Sequence, residues 1–242
     1  MIGIIGAMAE EVEAFKAAMT DSKTQKIAGV EFYVGFINHV KVVLAQSGIG
    51  KVNAALTTSL LCHQFKPSAI INTGSAGGFN GAQEVGDIIV SVDVVHHDVD
   101  VTAFGYALGQ VPGMPSSFAA AEALVDIAHN ALAKLELKAH RGQVASGDKF
   151  MTHHDHIRVV REGFPNLDAV EMEAAAIAQV CHRFEVPFVV VRALSDIAGK
   201  ESPMSFEQFL PVAAANAITQ NFDGLADTLV VNGGIKVGHW AA

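Results

Sequence analysis

Val170-Glu171-Met172-Glu173-Ala174-Ala175-Ala176-Ile177-Ala178-Gln179-Val180-Cys181 places two carboxylates at the head of a segment that is otherwise almost wholly small and apolar. Read as a helix it is apolar on every face, and such a helix is covered on all sides. Downstream, Phe188-Val189-Val190-Val191-Arg192-Ala193-Leu194 reads as a strand hydrophobic on both faces, ending at Ser195-Asp196. A covered helix next to a strand covered on both faces points to a layered α/β fold.

The chain on either side agrees. Apolar runs at 68–72, 87–95 and 137–145 read as strands; helical spacing spans about 51–65, 118–135 and, at the end, about 205–229. At the N-terminus, residues 2–7 form an apolar strand and 10–19 a helix with Val12, Phe15 and Met19 on one side. Three strand-like runs follow at 23–27, 30–36 and 40–46, parted only by Ala28-Gly29 and Asn38-His39, so they pair antiparallel. The expectation is an α/β fold with a mixed, twisted sheet, one domain over 1–230, and a tail at 231–242 holding the single Trp, Trp240.

Composition narrows the partners. Lys and Arg number 16 against 25 Asp and Glu, a formal charge of −9, with no basic block, so nucleic acid and anionic membrane surfaces are poor partners and a small ligand is a better one. The apolar N-terminus lacks a basic leader, and no run is long enough to span a bilayer. Cys62 and Cys181 sit alone in apolar helical stretches, as reduced core thiols do, and the compartment expected is the cytoplasm.

Chemistry-bearing residues fall where strands end, which is where α/β sheets collect ligands. Met8 to Glu11 follows the first strand; Thr73-Gly74-Ser75-Ala76-Gly77-Gly78 follows the run at 68–72; Ser146-Gly147-Asp148-Lys149-Phe150-Met151 follows that at 137–145. Gly3-x-x-Gly6 lacks dinucleotide spacing, and Ser47-Gly48-Ile49-Gly50-Lys51 fails as a phosphate loop because Ala45 and Val52 replace its glycine and hydroxyl. Thr152 to His156 has the composition of a metal site, but Thr152 with Asp155 equally suits a helix cap, and no metal is expected. Glu171 can point back to solvent. Glu173 is read as an ionised carboxylate favoured by the helix N-terminus and free to grip a vicinal diol such as a ribose.

Taken together, Gly3-Ile4-Ile5-Gly6-Ala7-Met8, Thr73-Gly74-Ser75-Ala76-Gly77, Asp100-Val101-Thr102-Ala103-Phe104-Gly105-Tyr106, Ser146-Gly147-Asp148, Val170-Glu171-Met172-Glu173 and Val191-Arg192-Ala193-Leu194-Ser195-Asp196 resemble the bacterial 5′-methylthioadenosine/S-adenosylhomocysteine nucleosidases. The resemblance runs from residue 2 to about 229. It implies a three-layer α/β/α fold of the nucleoside phosphorylase type and hydrolysis of the bond between adenine and ribose, without a cofactor. Asp196 would protonate adenine N7, and Glu11 would activate water, placed with Ser75 and Arg192. Glu173 and the Met172 backbone would hold the ribose, while Met151 backbone and Phe150 would meet the base, with Ser195 in the same site. Met8, Ile49 and Phe206 would surround the apolar 5′ group, and Val101, Phe104 and Pro112 would come from the neighbouring subunit of a homodimer. Ala9 and Met151 stand where such proteins more often carry Glu and Ile.

Four other readings compete. A phosphorylase of the same fold needs cations at the first strand end, where this chain has Glu10 and Glu11; a nucleosidase acting on 6-amino-6-deoxyfutalosine would share the residue types; a non-catalytic nucleoside-binding protein would lack Glu11 or Asp196; a histidine-centred metallohydrolase would be stopped by a chelator.

Overall fold

A computed structural model describes residues 1–198. The final helix expected at about 205–229, Phe206, the boundary at 230 and the tail at 231–242 lie outside the described residues.

In chain order the elements are β1 (Ile2–Gly6), α1 (Ala9–Ala18), β2 (Thr20–Ile27), β3 (Val30–Ile37), β4 (Val40–Gln46), α2 (Lys51–Phe65), β5 (Ala69–Gly78), β6 (Ile88–His96), β7 (Phe118–Ala119), α3 (Glu122–Lys134), β8 (Ala139–Ser146), α4 (His154–Gly163), β9 (Leu167–Glu171), α5 (Ala174–Phe184) and β10 (Phe188–Ile197). The sheet is mixed. Its order is β10-β6-β8-β9-β5-β1-β4-β3-β2, with β7 beside β6. β1 pairs in parallel with β4 and β5, whereas β2, β3 and β4 form the antiparallel meander read from the sequence.

β10 also pairs in parallel with β5, which closes β5, β10, β6, β8 and β9 into a ring. The closure follows from the length of β5. Its first residues pair with β1 and its last, Gly77 and Gly78, with β9 antiparallel, so the strand changes partner part-way and the sheet curls. A register shift between Leu194 and Asp196 bends β10 at the same level.

The core is built as the apolar runs require. Ile4, Ile5, Leu44, Ile70, Val90 and Val190 are fully buried between the sheet and its helices. α5 packs on α2, and Ala174, Ala175 and Ala178 have no exposed surface, small side chains there allowing close approach. Cys62 and Cys181 are free, buried thiols on these two helices.

The structure corrects several boundaries. The Thr73 to Gly78 segment continues β5 instead of turning out of it, because ladder bonds on both sides hold glycines that elsewhere punctuate a chain. α3 starts at Glu122, Phe118 and Ala119 being taken by pairing with β6. The helix read from Val170 begins at Ala174: residues 167–171 form the short strand β9. α4 is capped at His153 without a side-chain bond, not by Thr152.

Candidate active site

One cavity of about 140 Å³ gathers Met8, Glu11, Ile49, Ser75, Phe150, Met151, Met172, Glu173, Arg192 and Asp196 from the expected set. The strand-end rule explains only part of this. Met8 and Glu11 follow β1, Phe150 and Met151 follow β8, and Met172 and Glu173 follow β9; Ser75, Arg192 and Asp196 instead lie within β5 and β10, where the curled strands face the cavity.

Glu11 is the third residue of α1 and folds back over its N-terminus. Its Oε2 accepts the Ala7 and Met8 N–H groups at 2.6 and 3.1 Å, and its Oε1 accepts the Ser75 N–H at 3.2 Å. Its side chain is buried. Desolvation pushes its carboxyl above the usual range, against the pull of Arg192 and those three N–H groups. Gly74 makes the arrangement possible, since a Cβ there would lie 2.6 Å from Glu11 Oε1. Ser75 thus meets Glu11 through its backbone.

Arg192 is fully buried and surrounded. Its Nη2 donates to Asn72 Oδ1 at 2.8 Å and forms a short ion pair with Glu171; its Nη1 donates to the Ser75 carbonyl at 3.2 Å; Glu173 Oε2 is 3.5 Å away. Glu171 therefore does not face solvent, as the sequence allowed it to. As the last residue of β9 its side chain turns inward, where it also accepts the Glu173 and Ala174 N–H groups at the head of α5 and the Ser146 hydroxyl. Ser146 in turn accepts the Ala175 N–H at 2.7 Å. Glu171, Asn72 and Ser146 were missed because their partners are remote in sequence; the excess of acids around one arginine was the available signal.

Glu173 departs from expectation in charge. Burial and the adjacent Glu171 carboxylate push its pKa up to about 8, outweighing Arg192 and the Gly50 N–H that Oε1 accepts at 2.8 Å. The helix N-terminus does not supply its counter-charge, because Glu171 already takes the first N–H groups of α5. A protonated Glu173 can both donate to and accept from a diol.

Asp196 lies partly buried just beyond the irregularity in β10. Its Oδ1 is 2.8 Å from the Ser195 hydroxyl, and a Cβ on Gly77 would lie 3.3 Å from its Oδ2, so that glycine admits the carboxylate to the cavity wall. Ser195 does not line the cavity; it stands behind Asp196, with Ala76 carbonyl 3.3 Å from its hydroxyl. Gly74, against Glu11, and Gly77, against Asp196, are about 10 Å apart at the rise of an extended strand.

The mouth is apolar. Ile49 and Phe150 are 52% and 58% exposed, so Ile49 is rim and not core. Phe79 and Ala198 complete the wall. Val101, Phe104 and Pro112 lie on the loop after β6 and do not line this cavity, Phe104 being 82% exposed. His153 and His156 stack edge-on, and His156 Nε2 is 3.0 Å from Lys149 Nζ; among the described residues no three His, Cys, Asp or Glu side chains are grouped to hold a metal ion.

Residues 1–220 match the sequence profile of the Phosphorylase superfamily. A 5′-methylthioadenosine/S-adenosylhomocysteine nucleosidase of Marinomonas sp. (strain MWYL1) is 58% identical over 90% of this chain and 94% of that protein. Among solved structures, the nucleosidase of the same name from Colwellia psychrerythraea 34H in complex with adenine superimposes with a TM-score of 0.88 at 48% identity, over 93% of this chain and 94% of the other. That from Neisseria meningitidis in complex with methylthio-immucillin-A gives 0.88 at 42%, over 94% and 99%. A more distant neighbour, the futalosine hydrolase of Helicobacter pylori strain 26695, gives 0.85 at 32% identity, over 94% and 97%.

Proposed function

The chain belongs to the Phosphorylase superfamily, and from that premise we propose that it is a hydrolase releasing adenine from 5′-methylthioadenosine and S-adenosylhomocysteine. The observation that carries this reading is one cavity lined by Glu11, Glu173 and Asp196, in which Arg192 is already committed to Glu171. A phosphorylase needs a cation free to bind phosphate. Among the described residues the lining cations are Arg192, enclosed by acids, and Lys149, directed to His156, so water is the better nucleophile.

The chemistry assigns a role to each group. Loss of adenine leaves an oxocarbenium-like sugar, which requires a proton on the base and a nucleophile on the opposite face of the ring. Asp196, oriented by Ser195, gives its proton to adenine N7. Glu11, fixed by three N–H groups, keeps a lone pair for a water molecule, and its raised pKa makes it a stronger base than an exposed glutamate. Glu173 engages the ribose hydroxyls beside Met172. Phe150 and the Met151 backbone meet the purine, and Met8 and Ile49 face the 5′ thioether.

Homodimerisation, with Val101, Phe104 and Pro112 entering the neighbour's cavity, is part of the same proposal. Its support is Phe104, a large apolar side chain presented to solvent on a loop. Among the described residues no helix is long and apolar enough to cross a membrane. A cytoplasmic location is part of the same proposal.

Adenine release from 5′-methylthioadenosine in phosphate-free buffer with EDTA tests the reading, with 6-amino-6-deoxyfutalosine assayed in parallel. Release that phosphate does not accelerate is expected. Turnover only with phosphate would establish a phosphorylase, turnover of the futalosine alone would move the substrate, and binding without turnover would leave a sensor.

A further inference from the structure

Three segments distant in sequence are tied together just outside the cavity. Asp98 Oδ1 accepts a bond from Lys51 Nζ at 2.6 Å, Asp98 Oδ2 from the Asp148 N–H at 3.0 Å, and Asp148 Oδ1 from the Lys51 N–H at 2.7 Å. The ring of bonds is closed. The Lys51 and Asp98 side chains are only 18% and 27% exposed, so the pair is screened less than an ordinary surface pair. Burial tends to raise the Asp98 carboxyl, but Lys51 and the Asp148 N–H hold it below its ordinary value, and it is charged at neutral pH. The neighbouring His97 N–H donates to the Ser146 carbonyl at 2.9 Å, and the His97 ring occupies the space a side chain on Gly147 would need.

Two of these segments run straight into the rim. Ile49 lies two residues before Lys51, with Gly50 between them bonded to Glu173, and Phe150 lies two residues after Asp148. Both rim side chains are more than half exposed.

We propose that Lys51 and Asp98 are positioning residues that hold Ile49 and Phe150 at the separation required to grip the base and the 5′ group of the substrate. Neither touches substrate; both act through the rim. The inference rests on the nucleosidase reading for the identity of the ligand, while the tie itself can be tested with free adenine.

Steady-state kinetics with 5′-methylthioadenosine and calorimetric binding of adenine would be measured for Lys51→Met and Asp98→Ala, alone and in a Phe150→Ala background, with Lys51→Arg as the conservative control. Alone, each loss should raise KM and the adenine Kd about tenfold, with kcat within about twofold, and Lys51→Arg should restore most of the affinity. In the Phe150→Ala background the same losses should add less than about twofold to the adenine Kd, because their effect on adenine passes through Phe150, whereas the part of the KM effect that passes through Ile49 should remain. Unchanged KM, a fall in kcat alone, or equal increments in the adenine Kd in both backgrounds would overturn the proposal. A wild-type protein that binds adenine without hydrolysing the nucleoside would defeat the nucleosidase reading instead and leave the adenine series to decide the tie.

Discussion

The floor and the rim of the cavity are built on different principles. The floor is buried: Arg192, Glu11, Glu171 and Glu173 are each under a tenth exposed, and each is hydrogen-bonded to a residue remote in the chain. At the rim, Ile49 and Phe150 are more than half exposed. Groups that must face developing charge are fixed before substrate arrives, so no reorganisation is required during reaction. Groups that only enclose an apolar substituent are left open for it to enter. The difference teaches that chemistry and recognition separate by depth.

The sharpest way to break that comparison is at the reacting groups. Asp196→Asn and Glu11→Gln should each lower kcat by about a thousandfold, the range of positioned acids and bases, while adenine binding changes little. Loss of binding with kcat preserved would place the chemistry elsewhere. Next comes the cation beneath them. Arg192→Leu leaves buried carboxylates without their partner and should cost about 3–5 kcal/mol of stability, measured by denaturant unfolding. Adding Glu171→Gln should recover part of that loss, and no recovery would mean that the ion pair is not the source.

The floor should also report pH. Glu173, raised to about 8 from an ordinary 4.5, holds a proton in the folded state that the unfolded chain has released. Stability then falls as pH rises across that interval, and Glu11, also raised, acts in the same sense. His96 and His97, lowered by burial from 6.5, oppose this only below that value. Between pH 6.5 and 8 the ligand-free protein should lose up to about 1.4 kcal/mol per pH unit. A Glu173→Gln protein should show a flatter melting profile, and an unchanged slope would remove Glu173 as its source. The smallest effect belongs to the rim: Phe150→Ala should raise KM about tenfold, the usual worth of one base stacked on an aromatic ring, with kcat and melting temperature nearly unchanged.

Much of this was legible in the residues. The meander at β2 to β4 was marked by Ala28-Gly29 and Asn38-His39, and α2 by the glycines before Lys51, all local features. β9 was not, because Leu167-Asp168-Ala169-Val170-Glu171 is too short to display a period and runs into an alanine-rich helix. Read as part of the helix, Glu171 was left free to point to solvent. Ile49 was expected at the 5′ group, and its half-exposed place at the rim of the cavity could not be read from its neighbours in sequence.

By itself, the sequence determined the alternating elements and the mixed sheet, because periodicity and glycine placement act over a few residues, while most of the residues that line the cavity were implied by the resemblance of its motifs to the nucleosidases. Tertiary structure alone decided that β5 and β10 continue through their glycines and curl, that Glu171 takes both Arg192 and the head of α5, and that Glu173 is raised, not favoured in its charged form. Those outcomes depend on which groups are desolvated together, and desolvation is a property of the packed whole.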